Sequence, residues 1–182
     1  MDRVELTAPA RVLGAAIDPV CVSCTAAEND PLTFAVSARW KLVLHPDQTA
    51  PGALLIVARR HVPKVSELTD DEVTEFFGLY QLVESALEQS LGASMVNLAC
   101  LRNWAFRSEH PDPPLLHGRP NPHVHWHVVP RYAVPITIND ITFVDRDFGE
   151  ALTWQGRRVS DRVLRQLIER LSTALAVQPP HT

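Results

Sequence analysis

Apolar positions along the chain follow two rhythms. Short apolar or alternating runs occupy Phe34 to Trp40, Lys41 to His45, Ala53 to Ala58, Met95 to Leu101 and His123 to Val129. That is the spacing of β-strands, in which successive side chains point to opposite faces. Pro51-Gly52 between the second and third runs reads as a turn joining an antiparallel pair. A helical rhythm governs residues 69–90, where Val73, Phe76, Phe77, Tyr80, Val83 and Leu87 form one apolar stripe. Thr69 and Glu72 fit a capping box at its start, and Gly92 fits its end. A second amphipathic helix is predicted over 160–175, with Val163, Leu164, Leu167, Ile168, Leu171 and Leu175 in register. Prolines and Gly118 exclude regular structure from 107–122, and a loop that long in a compact domain is often functional. The first thirty or so residues and the stretch 133–157 carry no clear period. The pattern predicts an α+β fold, an antiparallel sheet of about five strands with helices packed against it. Residues 1–132 form the predicted domain, and 133–182 form a C-terminal extension packed on it.

Composition narrows the function classes. The 182 residues are 46% hydrophobic and 21% charged, as in ordinary globular proteins. A net charge of −4 gives no footprint for nucleic acid or an anionic membrane surface. The start of the chain shows no basic segment followed by an apolar run, and no stretch reaches the ~18 apolar residues of a membrane span. Three cysteines make a poor disulfide framework, so a reducing cytoplasm is the expected setting.

The chemistry concentrates at His123-Val-His-Trp-His-Val-Val129. On a strand His123, His125 and His127 would line one face, roughly 6.5–7 Å apart, with Val124, Trp126 and Val128 facing the core. Imidazole titrates near neutrality and serves as nucleophile, general acid or metal ligand. Three on one face are poor packing and useful chemistry. The first and third lie about 13 Å apart at their bases, too far to share one ion easily. Upstream, Cys21-x-x-Cys24 has the spacing of half a zinc site, or is an unligated pair.

The run His123 to Tyr132, with its three alternating histidines followed by Pro-Arg, resembles the signature of the histidine triad (HIT) family of nucleotide hydrolases and transferases, and of its bacterial diadenosine polyphosphate hydrolase-like members in particular. Leu42 to His61 is similar to the segment that carries the nucleoside pocket in that family. The helix at 69–90 and the strand from Asn97 to Trp104 fall where the family places them. The resemblance covers about residues 17–132. It implies that His125 attacks the α-phosphorus of a purine nucleotide substrate and forms a covalent nucleotidyl-histidine. Its other ring nitrogen would donate to a backbone carbonyl. His127 would assist at the phosphate, Asn103 would stabilise charge on it, and His45, Asp47, Asn97 and His123 would help bind the nucleotide. The implied reaction is hydrolysis of dinucleoside polyphosphates or nucleoside phosphoramidates. The alternatives are nucleotidyl transfer or phosphorolysis, and a nucleotide-binding, zinc-stabilised module with vestigial chemistry. The resemblance also implies a structural zinc held by Cys21, Cys24, His61 and His123, with His110 or His117 as substitutes for the last, no organic cofactor, and a homodimer. Departures occur at Ala53, where members often carry histidine, and at His45, where many carry an acid.

Smaller signals have bland readings. Arg59, Arg60 and Arg131 could meet phosphate, although the first two need be no more than strand-end charges. Trp104 and Phe106 could stack on a base, but packing is their commoner use. Cys100 reads as a small buried hydrophobe.

Overall fold

The computed structural model describes residues 4–6, 18–19, 21–25 and 30–177. Its centre is a five-stranded antiparallel sheet of β1 (Thr33–Val36), β2 (Trp40–Leu44), β3 (Leu54–Ala58), β4 (Met95–Ala99) and β5 (His125–Arg131), in the order β1-β2-β3-β5-β4. A short helical turn, α1 (Val22–Thr25), precedes it; α2 (Asp70–Leu91) follows β3. Beyond β5 come a two-stranded hairpin, β6 (Ile136–Ile138) and β7 (Ile141–Phe143), and the last helix, α3 (Asp161–Val177).

The two sheet faces differ. Trp40, Leu42, Leu44, Leu54, Ile56 and Val128 point into the main core, where they meet Phe76, Leu79, Val83 and Leu87 of α2. Ile138, Phe143, Val163, Leu167 and Leu171 join the same core, so the hairpin and α3 are part of this packing. The opposite face carries His45 at the end of β2 and His125, His127, Val129 and Arg131 of β5.

The capping box at Thr69 and Glu72 is present, and Gly92 ends α2 in the left-handed region at φ 72°. The stripe differs from the predicted one. The inward face runs through Glu72, Phe76, Leu79, Val83, Leu87 and Leu91, while Val73 and Phe77 are exposed. Glu72 fixes that rotation, because its carboxylate pairs with Arg60 at 2.6 and 2.8 Å and also holds the Thr69 N–H. The predicted strand 34–40 ends early: β1 stops at Val36, and Trp40 already belongs to β2, the strand expected from Lys41. Ser37 turns the chain, bonding Trp40 and the Glu75 carboxylate, and Arg39 bonds that same carboxylate.

β5 begins at His125, not His123, and continues through Pro130. Residues 123 and 124 instead run beside the segment after β3, where Ala58 N–H donates to Val124 and Val124 N–H to Val62. Pro130 is tolerated because β3 pairs with β5 only from Leu54–Val128 to Val57–His125, so its missing N–H falls beyond the end of β3.

The Pro51-Gly52 turn is buried and cross-braced. Gln48 accepts the Gly52 N–H at 2.8 Å and donates to Ala53 at 3.1 Å. Gly52 has φ +88°, and a Cβ there would lie 2.4 Å from Leu91 Cδ1. Gly52→Ala is expected to cost about 2–4 kcal/mol, summing left-handed strain and overpacking. Urea unfolding checks this; a loss under 1 kcal/mol would show that the turn yields.

Candidate active site and metal centre

His125 and His127 lie two apart on β5 and share the open face, with ring centroids 5.1 Å apart. Pairing with Val57 and Leu55 of β3 and Ala99 of β4 sets their register. His125 Nδ1 sits 2.8 Å from the carbonyl oxygen of His123. A carbonyl only accepts, so Nδ1 carries the proton and Nε2 keeps a lone pair. Burial, opposed by that bond, pushes the His125 pKa down; the nearby charge of Arg102 adds to the lowering and Asp112 counters it. His127 is pushed down to about 3, first by burial and then by His125 and His45. Its Nδ1 is buried with no hydrogen-bond partner among the described residues.

His123 departs from the expected row. Its ring leaves the shared face and turns to Cys21, Cys24 and His61. Nδ1 of His123 lies 3.4 Å from each sulfur and 3.3 Å from His61 Nδ1, and Cys24 Sγ lies 3.4 Å from His61 Nδ1. All four ligand atoms fall within 4.8 Å of one another. Zinc bond lengths of about 2.3 Å to sulfur and about 2.0–2.1 Å to nitrogen put tetrahedral ligand atoms ~3.3–3.8 Å apart. The donor set therefore fits zinc in both chemistry and spacing. Outer contacts orient it: His123 Nε2 donates to Ala58 O at 2.8 Å, and Lys41 Nζ donates to Ser23 O at 2.6 Å, docking α1. The Cys24 thiol is held far below its usual range by the bond from Cys21, with His123 adding to it, while that contact and burial raise Cys21. His110 and His117 are exposed on the proline-rich loop, away from this role.

The remaining predicted residues divide. His45 is in the site, its ring 5.4 Å from that of His127, and its Nδ1 accepts the Asp47 N–H at 3.1 Å. Burial lowers its pKa. Asp47, expected at a ribose, is already engaged. Its carboxylate accepts from Thr49 N–H and O–H, Gly156 N–H and Arg157 N–H at 2.6–2.9 Å, so it anchors the tail. Asn97 is drawn the same way, its Oδ1 accepting from Arg131 at 3.2 Å. Arg131 is fully buried and grips Asp145, which removes it from phosphate binding. Arg59 and Arg60 bond to Ser37 and Glu72 as strand-end charges. Asn103 is exposed at the start of a single 3-10 turn, and its side chain bonds to none of the described residues. Trp104 and Phe106 are not packed, at 53% and 63% exposure, and the Arg107 guanidinium lies 4.3 Å over the Trp104 ring. Cys100 is half-buried rather than buried.

Three neighbours of the histidines went unread in the sequence: Arg102, Asp112 and Trp154. The Trp154 ring lies 4.6 Å from His45 and 6.4 Å from His127. Arg102 stands beside the predicted Asn103; Trp154 lies in a stretch without any period.

Residues 28–107 match the HIT domain. Over that segment, which is less than half of the chain, the protein is similar to the HIT family. That match ends before the histidine run, which the structure places on the adjoining strand. The chain is 28% identical over 100 residues to the asymmetrical bis(5'-nucleosyl)-tetraphosphatase of Schizosaccharomyces pombe, covering 55% of this chain and 49% of that protein. It is 30% identical over 113 residues to the bis(5'-adenosyl)-triphosphatase of Saccharomyces cerevisiae, covering 59% and 49%. The chain thus matches about half the length of these curated relatives. Among solved structures it resembles a hypothetical histidine triad nucleotide-binding protein of Sulfolobus tokodaii, with TM-score 0.60, 12% identity and coverage of 86% of this chain and 92% of that one. It also resembles a Zn-bound histidine triad family protein of Mycobacterium smegmatis, with TM-score 0.56, 20% identity and coverage of 86% and 93%. These two likenesses establish a HIT fold. No helix among the described residues is long and apolar enough to cross a membrane.

The histidine environment sets a pH dependence. His127 titrates at about 3 in the folded chain against an ordinary value of 6.5. Between those values the unfolded state binds a proton that the folded state refuses, so stability falls as pH drops below 6.5. The slope due to this group is at most about 1.4 kcal/mol per pH unit. His127→Gln is expected to flatten the stability profile between pH 6.5 and 4.5, measured by urea unfolding. An unchanged slope would contradict the depressed pKa.

Proposed function

We propose that this protein is a member of the HIT family that hydrolyses nucleotides at phosphorus, acting on dinucleoside polyphosphates or nucleoside phosphoramidates through His125. The observation that carries this is the 2.8 Å bond from His125 Nδ1 to the His123 carbonyl, which leaves Nε2 as a free base on the open face. Nε2 attacks the α-phosphorus, its lone pair forming an N–P bond as the bond to the leaving group breaks and the leaving group takes the electron pair. The leaving group gains a proton from its surroundings, with His127, 5.1 Å away, placed to relay it or to bond the phosphoryl oxygens. Water then attacks phosphorus, the N–P bond breaks, a nucleoside monophosphate leaves and neutral His125 returns. Backbone N–H groups and Asn103 are the proposed donors to the phosphoryl oxygens, and His45 lies beside the bound nucleotide. The names of the two fungal relatives support this substrate class.

Cys21, Cys24, His61 and His123 are proposed to hold a structural zinc, as the ligand spacing and the Zn-bound Mycobacterium smegmatis neighbour support. Four protein ligands leave no open position, so the metal would not activate water. It would fix His123, whose carbonyl orients His125. The outer edge of β4, paired only with β5 among the described strands, is the proposed seam of a homodimer.

Incubation with diadenosine tri- and tetraphosphate and adenosine phosphoramidate tests the reading. The expected result is steady release of AMP from at least one. Tight binding of all three with no product would favour a binding module with vestigial chemistry.

A further inference from the structure

The segment between β7 and α3 crosses the open sheet face as a strap held at three places. At its start the Asp145 carboxylate takes a two-pronged bond from Arg131, at 2.7 and 3.0 Å, while other guanidinium N–H groups reach the carbonyls of Asp147 and Glu150. In the middle Leu152 rests on Ala50, Ala53 and Val129. At its end the Asp47 carboxylate accepts the N–H groups of Gly156 and Arg157 at 2.8 and 2.9 Å, and Gln155 N–H reaches Thr49 Oγ1 at 3.0 Å. The small side chain of Ala53, 1% exposed, leaves room for Leu152 where a histidine would push the strap away.

These anchors hold Trp154. Its ring is tilted 31° to His45 and 63° to His127, at centroid distances of 4.6 and 6.4 Å. The residue keeps 36% of its surface exposed. Burying an indole wholly would explain it as core packing. Fixing one on both sides, next to two site histidines and still open to solvent, presents a π-face to whatever binds there.

We infer that Trp154 is a specificity-determining wall of the histidine site, whose open surface stacks on the nucleobase of a nucleotide held at His125 and His127. Asp47 acts through it as a positioning residue by latching the strap. The inference rests on the nucleotide reading above and deepens it. Base–aromatic stacking is typically lost on truncation with about a tenfold to hundredfold weakening.

The test measures AMP binding by titration and diadenosine tetraphosphate turnover, with ribose 5-phosphate as a base-free ligand. Trp154→Ala, and Trp154→Leu as a bulk-preserving second variant, are expected to raise the Kd for AMP and the KM by about tenfold or more. Their kcat should fall far less, Trp154→Phe should recover most of the loss, and ribose 5-phosphate should bind all variants alike. Asp47→Asn should raise KM in the same direction. A wild-type Kd for AMP in a folded Trp154→Leu variant would overturn the inference alone. So would an equal loss of AMP and ribose 5-phosphate binding. A wild-type protein that neither binds AMP nor turns over diadenosine tetraphosphate would overturn the nucleotide reading itself.

Discussion

Replacing His125 with alanine is expected to lower kcat on the preferred dinucleoside polyphosphate by 10³-fold or more, while leaving the melting temperature within a few degrees. The size follows from removing the group that forms the covalent bond, since what remains is only binding and charge stabilisation. The small effect on folding follows from position. His125 is half-buried on the open face, outside the main core, and its ring bonds a backbone carbonyl two residues away. His127→Ala should cost less, on the order of 10²-fold, as for a proton-transfer partner. Equal losses in the two variants would argue that the histidines act as one unit without distinct roles.

The second large effect is expected at the metal centre. Cys21→Ser should abolish stoichiometric zinc in the purified protein, because a serine hydroxyl does not replace a thiolate ligand. Loss of a structural metal is among the few single changes that cost more than about 4 kcal/mol, which for a chain of this length lowers the melting temperature by on the order of 10 °C. Activity should fall with it. His123 is 1% exposed and tied by its Nδ1 to the ligand cluster, and its carbonyl sets the His125 tautomer. Elemental analysis and calorimetry of wild type and variant check this together. Equal zinc content in both would remove the site, and lost zinc with unchanged turnover would sever its link to His125.

Local signals made much of this fold readable. The capping box at Thr69, the glycine stop at Gly92 and the Pro51-Gly52 turn depend on neighbours in sequence, and each is where its residues require. The strands themselves were legible because β-branched runs and a period of two mark a sheet, whereas the pairing of the histidine strand with β3 and β4 came from the structure. The errors have a common physical origin in distant partners. The rotation of α2 depends on Arg60 drawing Glu72 inward, so Phe77 faces solvent despite its apolar side chain. His123 leaves the strand because Val62 and Ala58 take the backbone bonds of Val124. Asp47 could not be read as an anchor, since nothing around it announces that the amides of Gly156 and Arg157 arrive from the far end of the chain. Trp154 was invisible for the same reason. The residues of the phosphorus chemistry cluster in one motif, whereas the wall beside them comes from a tail with no period of its own.

The departures at His45 and Ala53 gain a joint account. Ala53 makes room for Leu152, and His45 gives Trp154 a ring to rest on, so both changes go with the strap.

The most direct test of His125 as nucleophile is a single-turnover reaction with α-phosphorus-labelled substrate, quenched in alkali, where phosphorus–histidine bonds survive. Peptide mass spectrometry is predicted to find the nucleotidyl group on His125 in wild type and on no residue in His125→Ala. Label on another side chain, or complete turnover with no enzyme-bound label at any time, would contradict it.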